Sequence, residues 1–137
     1  MQLCITSEHM KQLKDLGRRC YPEEACALLI GNDACVSQVI VSENIASEPK
    51  RFFEIDPTVR IKAEKQCRED GRAVIGVFHS HPDGDARPSK TDEKMIYEPD
   101  LFWLIASVDN ANKIEIAAFH PSSDDGFEKA ELKIEGK

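Results

Sequence analysis

The apolar positions along this chain fall into helical, alternating and continuous patterns, and each pattern predicts an element. Met10, Leu13, Leu16 and Cys20 lie at helical spacing, which predicts a first helix capped by Ser7. Tyr21-Pro22 ends it, because the residue before a proline avoids the helical region. Residues 25–30 are an unbroken apolar run, the pattern of a strand buried on both faces. A Gly31-Asn32-Asp33 turn and a second strand over 34–41 follow. Residues 42–50 are polar and contain a proline, so they read as a loop, and 51–55 read as strand-like.

Asp56-Pro57 predicts a second helix, with aspartate as the cap and proline at the first position, where a missing N–H costs nothing. Val59, Ala63 and Cys67 form its narrow apolar stripe and Gly71 closes it. A strand over 73–78, a short helix from Ser89 and an apolar run over 101–107 come next. After a turn at 109–112, residues 113–119 alternate as a strand. A loop over 121–126 leads to a further alternating stretch, 128–134. Strands and helices mixed in this order predict an α/β domain with a mixed sheet and helices packed on it.

Composition narrows the class. At 137 residues the chain is long enough for one domain with its own core, so 1–137 is read as a single domain. A net charge of −7 argues against nucleic acid as partner, since phosphate backbones are bound by Lys and Arg clusters. No stretch approaches the roughly 20 apolar residues of a membrane span, and the amino terminus lacks a secretory pattern. The five cysteines, Cys4, Cys20, Cys26, Cys35 and Cys67, are odd in number and contain no C-x-x-C. They read as reduced core residues of a cytoplasmic protein, with Cys26 structural rather than nucleophilic. His9 and His120 read as surface histidines, and Trp103 as core.

Candidate chemistry lies after the strand over 73–78, in His79-Ser80-His81-Pro82 and the run down to Ser89 and Asp92. Residues i and i+2 on a strand share a face, so both imidazoles converge on one point. Two imidazoles and a carboxylate form a catalytic zinc set with an open fourth position, and Asp92 is the obvious carboxylate. A bare H-x-H also fits a hydrogen-bonded pair at a strand end. Ser89-x-x-Asp92 is also a helix capping box, which would hold Asp92 in the first turn of its helix. A calcium loop is excluded, because from Asp83 the fifth and twelfth positions are Arg87 and Lys94. Upstream, Glu23 and Glu24 stand at the mouth of the apolar run 25–30, where an acidic pair is commonly just a solvated strand end.

Together these stretches resemble the JAMM (MPN+) metalloprotease family. Its histidine signature is complete as His79, His81, seven residues, Ser89, two residues and Asp92. The upstream part matches as Pro22-x-Glu24-x-Cys26, with Ala27 where the family usually has glycine. Arg51-Phe52-Phe53-Glu54-Ile55-Asp56-Pro57 and the segment from Ile75 to Pro82 resemble the short stand-alone bacterial and archaeal members.

The resemblance implies a three-layer, deaminase-like α/β fold and one zinc held by His79, His81 and Asp92. It further implies Glu24 as general base, Ser89 as a donor to the oxyanion, and hydrolysis of a peptide or isopeptide bond. The implied substrate is the carboxyl-terminal tail of a ubiquitin-like or sulfur-carrier protein, with Arg51-Phe52-Phe53 as a candidate strand edge to receive it. Two rivals share the fold. A metal-free interaction module would have lost ligands, whereas this set is complete. The RadC-like branch shares H-x-H-P and P-S-x-x-D, and the stretch from Pro22 to Gly31 with the acidic charge favours the peptidase. A zinc deaminase would need P-C-x-x-C, which is absent.

Overall fold

The computed structural model describes residues 1–124 and 126–136. Its elements are β1 (Gln2–Thr6), α1 (Ser7–Cys20), β2 (Cys26–Asn32), β3 (Cys35–Ser42), α2 (Pro57–Asp70), β4 (Ala73–Pro82), α3 (Lys90–Lys94), β5 (Phe102–Val108), β6 (Ile114–Pro121) and β7 (Phe127–Glu135). The sheet is mixed, as expected. β2 pairs antiparallel with β3 and β4, β4 pairs parallel with β5, and β5–β6–β7 run antiparallel.

The sheet is not open. β1 pairs parallel with β7 over Gln2–Thr6 and touches β3 at the single register Cys4 opposite Cys35, closing a seven-stranded barrel in the order β1-β3-β2-β4-β5-β6-β7. The sequence reading assigned no strand here. The signal was present in the alternation of buried Leu3 and Ile5, but it spans five residues and runs directly into a helix.

Two apolar clusters lie on opposite faces of the sheet. Met10, Leu13 and Leu16 of α1 pack with Leu3, Ala27, Leu29, Phe78 and Leu104, while Ala63 and Cys67 of α2 pack with Leu28, Ile30, Val77, Trp103 and Ile105. Alternate residues of β2 therefore enter different clusters, which is why the run reads as continuously apolar. Trp103 is core, as expected. Among the described residues no helix is long and apolar enough to cross a membrane.

Local departures have local causes. The cap of α1 is Thr6, whose hydroxyl accepts from the His9 N–H at 3.1 Å, rather than Ser7. The β2–β3 turn is Asp33-Ala34, both at positive φ (51° and 58°), so β2 runs through Asn32 and β3 starts one residue late. Asp56 caps α2 and Gly71 ends it at φ 75°, as predicted. Residues 51–55 form no strand, and only an isolated bridge joins Asn44 to Ile55. Asp125, in the predicted loop 121–126, lies outside the described residues.

At Gly31 the β2–β3 register shifts, and a Cβ there would lie 1.9 Å from the Cys35 carbonyl oxygen. The obstacle is backbone and cannot rotate away. Gly31→Ala should therefore destabilise the protein by about 3 kcal/mol or more, the upper end for overpacking. A denaturant midpoint equal to wild type would mean that the hairpin shifts without cost.

Candidate metal centre

β4 extends past the predicted end at Phe78 and carries both histidines within the sheet. The period of two then separates their roles. His79 and His81 face one way, and buried Ser80 faces the other, where its hydroxyl accepts from the Ala25 N–H at 2.8 Å. The Ser80 N–H in turn donates to the Ala25 carbonyl at 3.1 Å. Sequence reasoning passed over Ser80, whose place between the histidines was its only signal. Antiparallel register sets Cys26 opposite His79. Continued by two residues, it sets Glu24 across from His81. Strand pairing thus brings the upstream glutamate to the histidines.

Four side chains converge. His79 Nε2 lies 3.0 Å from His81 Nε2 and 3.3 Å from Asp92 Oδ1, and His81 Nε2 lies 3.1 Å from Asp92 Oδ2. Glu24 offers an oxygen within 4.8 Å of a ring nitrogen of each histidine. The predicted capping box holds Asp92 in place. The Ser89 N–H donates to Asp92 Oδ2 at 2.9 Å, and Ser89 Oγ accepts from the Asp92 N–H at 3.1 Å. His81 Nδ1 donates to the Asp85 carbonyl at 2.8 Å, which assigns a proton to Nδ1 and turns Nε2 toward Asp92. Phe53 stacks on His79 with centroids 4.2 Å apart and planes 14° apart, and Trp103 meets the same ring edge-on at 5.4 Å. His79 Nδ1 is buried without a hydrogen-bond partner among the described residues.

This donor set suits a zinc ion. With bonds of about 2.0–2.1 Å, ligand atoms around a tetrahedral centre stand roughly 3.3 Å apart, close to the edges of the His79–His81–Asp92 triangle. Among the described residues Asp92 forms no ion pair with a lysine or arginine, and its charged-group neighbours are the two imidazoles.

Burial and neighbouring charge set the protonation states. Burial keeps His79 neutral against the pull of Asp92. Burial also works against the charged form of His81, but the hydrogen bonds to Asp92 and Asp85 raise it overall. Burial opposes ionisation of Asp92, yet hydrogen bonds from His79 and His81 hold it far below the usual carboxylate range. Glu24 is 6% exposed, and burial pushes it up to about 7 against the pull of His81. One carboxylate is therefore fixed as an anion and the other is poised to exchange a proton.

The cluster opens into a cleft of about 320 Å³ whose lining includes Glu24, His81, Ser89 and Asp92 together with Lys50, Arg51, Phe52 and Phe53. Arg51-Phe52-Phe53 is thus a cleft wall rather than a strand edge. Phe53 is buried against His79, so it is not available to line an exposed edge. Neither remaining histidine joins the site. His9 is half-buried beside Thr6, and His120 is buried rather than at the surface, with its ring 4.8 Å from Phe102 and Nδ1 3.1 Å from the Pro121 carbonyl. Burial pushes the Cys26 thiol up to about 12, which removes the thiolate that a nucleophile needs.

Known proteins share this chain's features. It is 32% identical over 90 residues to a protein of Haloferax volcanii named desampylase, a match covering 64% of this chain and 65% of that one. It is 25% identical over 119 residues to the CysO-cysteine peptidase of Mycobacterium tuberculosis, covering 85% and 81%. A Desulfitobacterium hafniense protein solved in solution superposes with a TM-score of 0.85 at 31% identity, over all of this chain and 94% of that one. Residues 6–123 match the family described as prokaryotic homologues of the JAB domain. With the histidine signature and the folded site in agreement with that match, the chain belongs to the prokaryotic JAB-domain family of JAMM/MPN+ proteins.

Proposed function

We propose that this protein is a zinc-dependent metallopeptidase that hydrolyses a peptide or isopeptide bond at the carboxyl-terminal tail of a ubiquitin-like or sulfur-carrier protein. The observation that carries the proposal is the convergence of Glu24, His79, His81 and Asp92 at one end of an open cleft. His79, His81 and Asp92 would hold the metal. When bound, zinc supplies a Lewis acid and lowers the pKa of water from about 15.7 toward about 7. Glu24 takes a proton from the attacking water and delivers it to the leaving amine as the C–N bond breaks, so that amine and carboxylic acid products balance the water consumed. The Ser89 hydroxyl, whose oxygen already accepts from Asp92 N–H, keeps its own proton to donate to the carbonyl oxygen under attack.

The names desampylase and CysO-cysteine peptidase, carried by two relatives, support a protein-tail substrate. The cleft adds a physical reason. An extended tail presents little but backbone, and glycines at its end allow close approach to the site. The same reading treats residues 1–137 as one domain acting in the cytoplasm, in keeping with five unpaired cysteines. It also treats the fold as a deaminase-like α/β arrangement whose sheet has curled shut.

A panel tests the substrate. Zinc-loaded protein is incubated with a sulfur-carrier protein bearing a carboxyl-terminal extension, a lysine-linked conjugate of such a protein, and an unrelated unfolded polypeptide. One or both of the first two should be cut at the tail, and the third should be spared. Equal cleavage of all three would make this a general peptidase. Cleavage of none, with zinc bound, would favour the RadC-like or non-catalytic alternatives.

A further inference from the structure

The loop between β3 and α2 is organised by one side chain. Asn44 Nδ2 donates to the carbonyls of Phe52 at 2.9 Å, Glu24 at 3.0 Å and Pro49 at 3.3 Å. Asn44 Oδ1 accepts from the backbone N–H groups of Ala46 and Glu54, each at 3.0 Å. A carboxamide has two donor hydrogens and two acceptor lone pairs, and here every one is engaged with backbone. Carbonyls surround the nitrogen and N–H groups surround the oxygen, so the orientation of the amide is determined by its partners.

Glu24 sits just beyond the start of β2, where the sheet no longer holds it. The Asn44-centred loop does so instead. The Glu24 N–H donates to the Pro49 carbonyl at 2.7 Å, and the Glu24 carbonyl accepts from Asn44. Both backbone polar groups of the residue are therefore held by the loop, one through Asn44 directly and one through a proline that Asn44 also holds. The same loop lays Phe53 over the His79 ring and supplies Lys50, Arg51, Phe52 and Phe53 to the lining of the cleft.

We propose that Asn44 is a positioning residue, which aims the Glu24 carboxylate at the histidine cluster and fixes to it the loop that lines the same cleft. This rests on the reading of Glu24 as general base. Asn44 touches none of the reacting groups and acts through Glu24. Displacements of about 1 Å remote from the chemistry cost turnover about 10²-fold, so a single amide is sufficient cause for a large effect.

Two variants separate the halves of the amide. Asn44→Ala removes every contact. Asn44→Asp keeps the acceptor for Ala46 and Glu54 but turns a carboxylate oxygen toward three carbonyls, which releases Glu24, Pro49 and Phe52 while the other half of the clasp stays in place. Each is made in the wild-type and in the Glu24→Gln background. Zinc content, turnover and backbone amide exchange are measured, the last needing no substrate. In the wild-type background both variants should keep zinc, lose kcat by about 10²-fold and move KM far less. In the Glu24→Gln background the further loss should be small, because the group being aimed is gone. The Glu24 amide should exchange faster in both variants while amides within the β2–β4 ladder stay protected. An equal fractional loss of kcat in both backgrounds would overturn the proposal, as would unchanged protection at Glu24. If wild-type protein cleaves nothing in the panel, the functional reading fails separately, and exchange at Glu24 alone decides whether Asn44 holds it. Should Asn44→Ala fail to fold, Asn44→Asp carries the test.

Discussion

Zinc should be present at about one ion per chain in the wild-type protein and fall to background in His79→Ala and Asp92→Ala, because each removes one of the three proposed ligands. Asp92 has a second task that must be separated from the first. Its carboxylate accepts from the Ser89 N–H and so caps α3, and losing a cap costs about 1 kcal/mol. Asp92→Asn distinguishes the two. An amide oxygen still accepts from Ser89, so α3 keeps its start, but the anion between two imidazoles is gone. Zinc affinity should then drop while the thermal midpoint measured without metal stays near wild type. His79 carries a different secondary cost, since its ring fills the space between Phe53 and Trp103 and is fully buried. His79→Ala should therefore be less stable as well as metal-free. Elemental analysis showing stoichiometric zinc in both alanine variants would remove the proposed centre.

Glu24→Gln should have the opposite profile, with fold and zinc retained and turnover lost. The side chain is buried, and burial already pushes its carboxyl up to about 7 against the pull of His81. A neutral isostere is therefore accommodated without a stability penalty. General base catalysis contributes about 10²–10⁴-fold, and turnover on the preferred tail substrate should fall within that range. Two results would reassign the residue. Activity within a few fold of wild type would show that Glu24 is not the base. Loss of zinc would make it a ligand, an arrangement its oxygen is close enough to adopt, since it lies within 4.8 Å of both histidine donors.

The sequence alone determined the features that live within short windows. The apolar stripe of α1, the doubly buried run of β2 and the Asp56-Pro57 start of α2 depend on periodicity and capping, which act between near neighbours. The pairing of His79 with His81 was legible for the same reason, because a strand of period two sets both on one face. The Ser89–Asp92 box was legible too, since both partners fall within one helical turn. Features that depend on distant partners were not legible. Gln2–Thr6 is too short to signal a strand, and it becomes one by pairing with β7 from the other end of the chain. Residues 51–55 have strand-like composition, yet Asn44 and the Glu24 segment take up the backbone groups around them, and the ring of Phe53 finds His79. His120 has a polar side chain but is buried against Phe102. The tertiary structure alone decided how Glu24 reaches the histidines, through the β2–β4 register, the Ser80–Ala25 hydrogen bonds and the Asn44 clasp. Each of these joins residues far apart in the chain, and their contact free energy appears only once the sheet has brought them together.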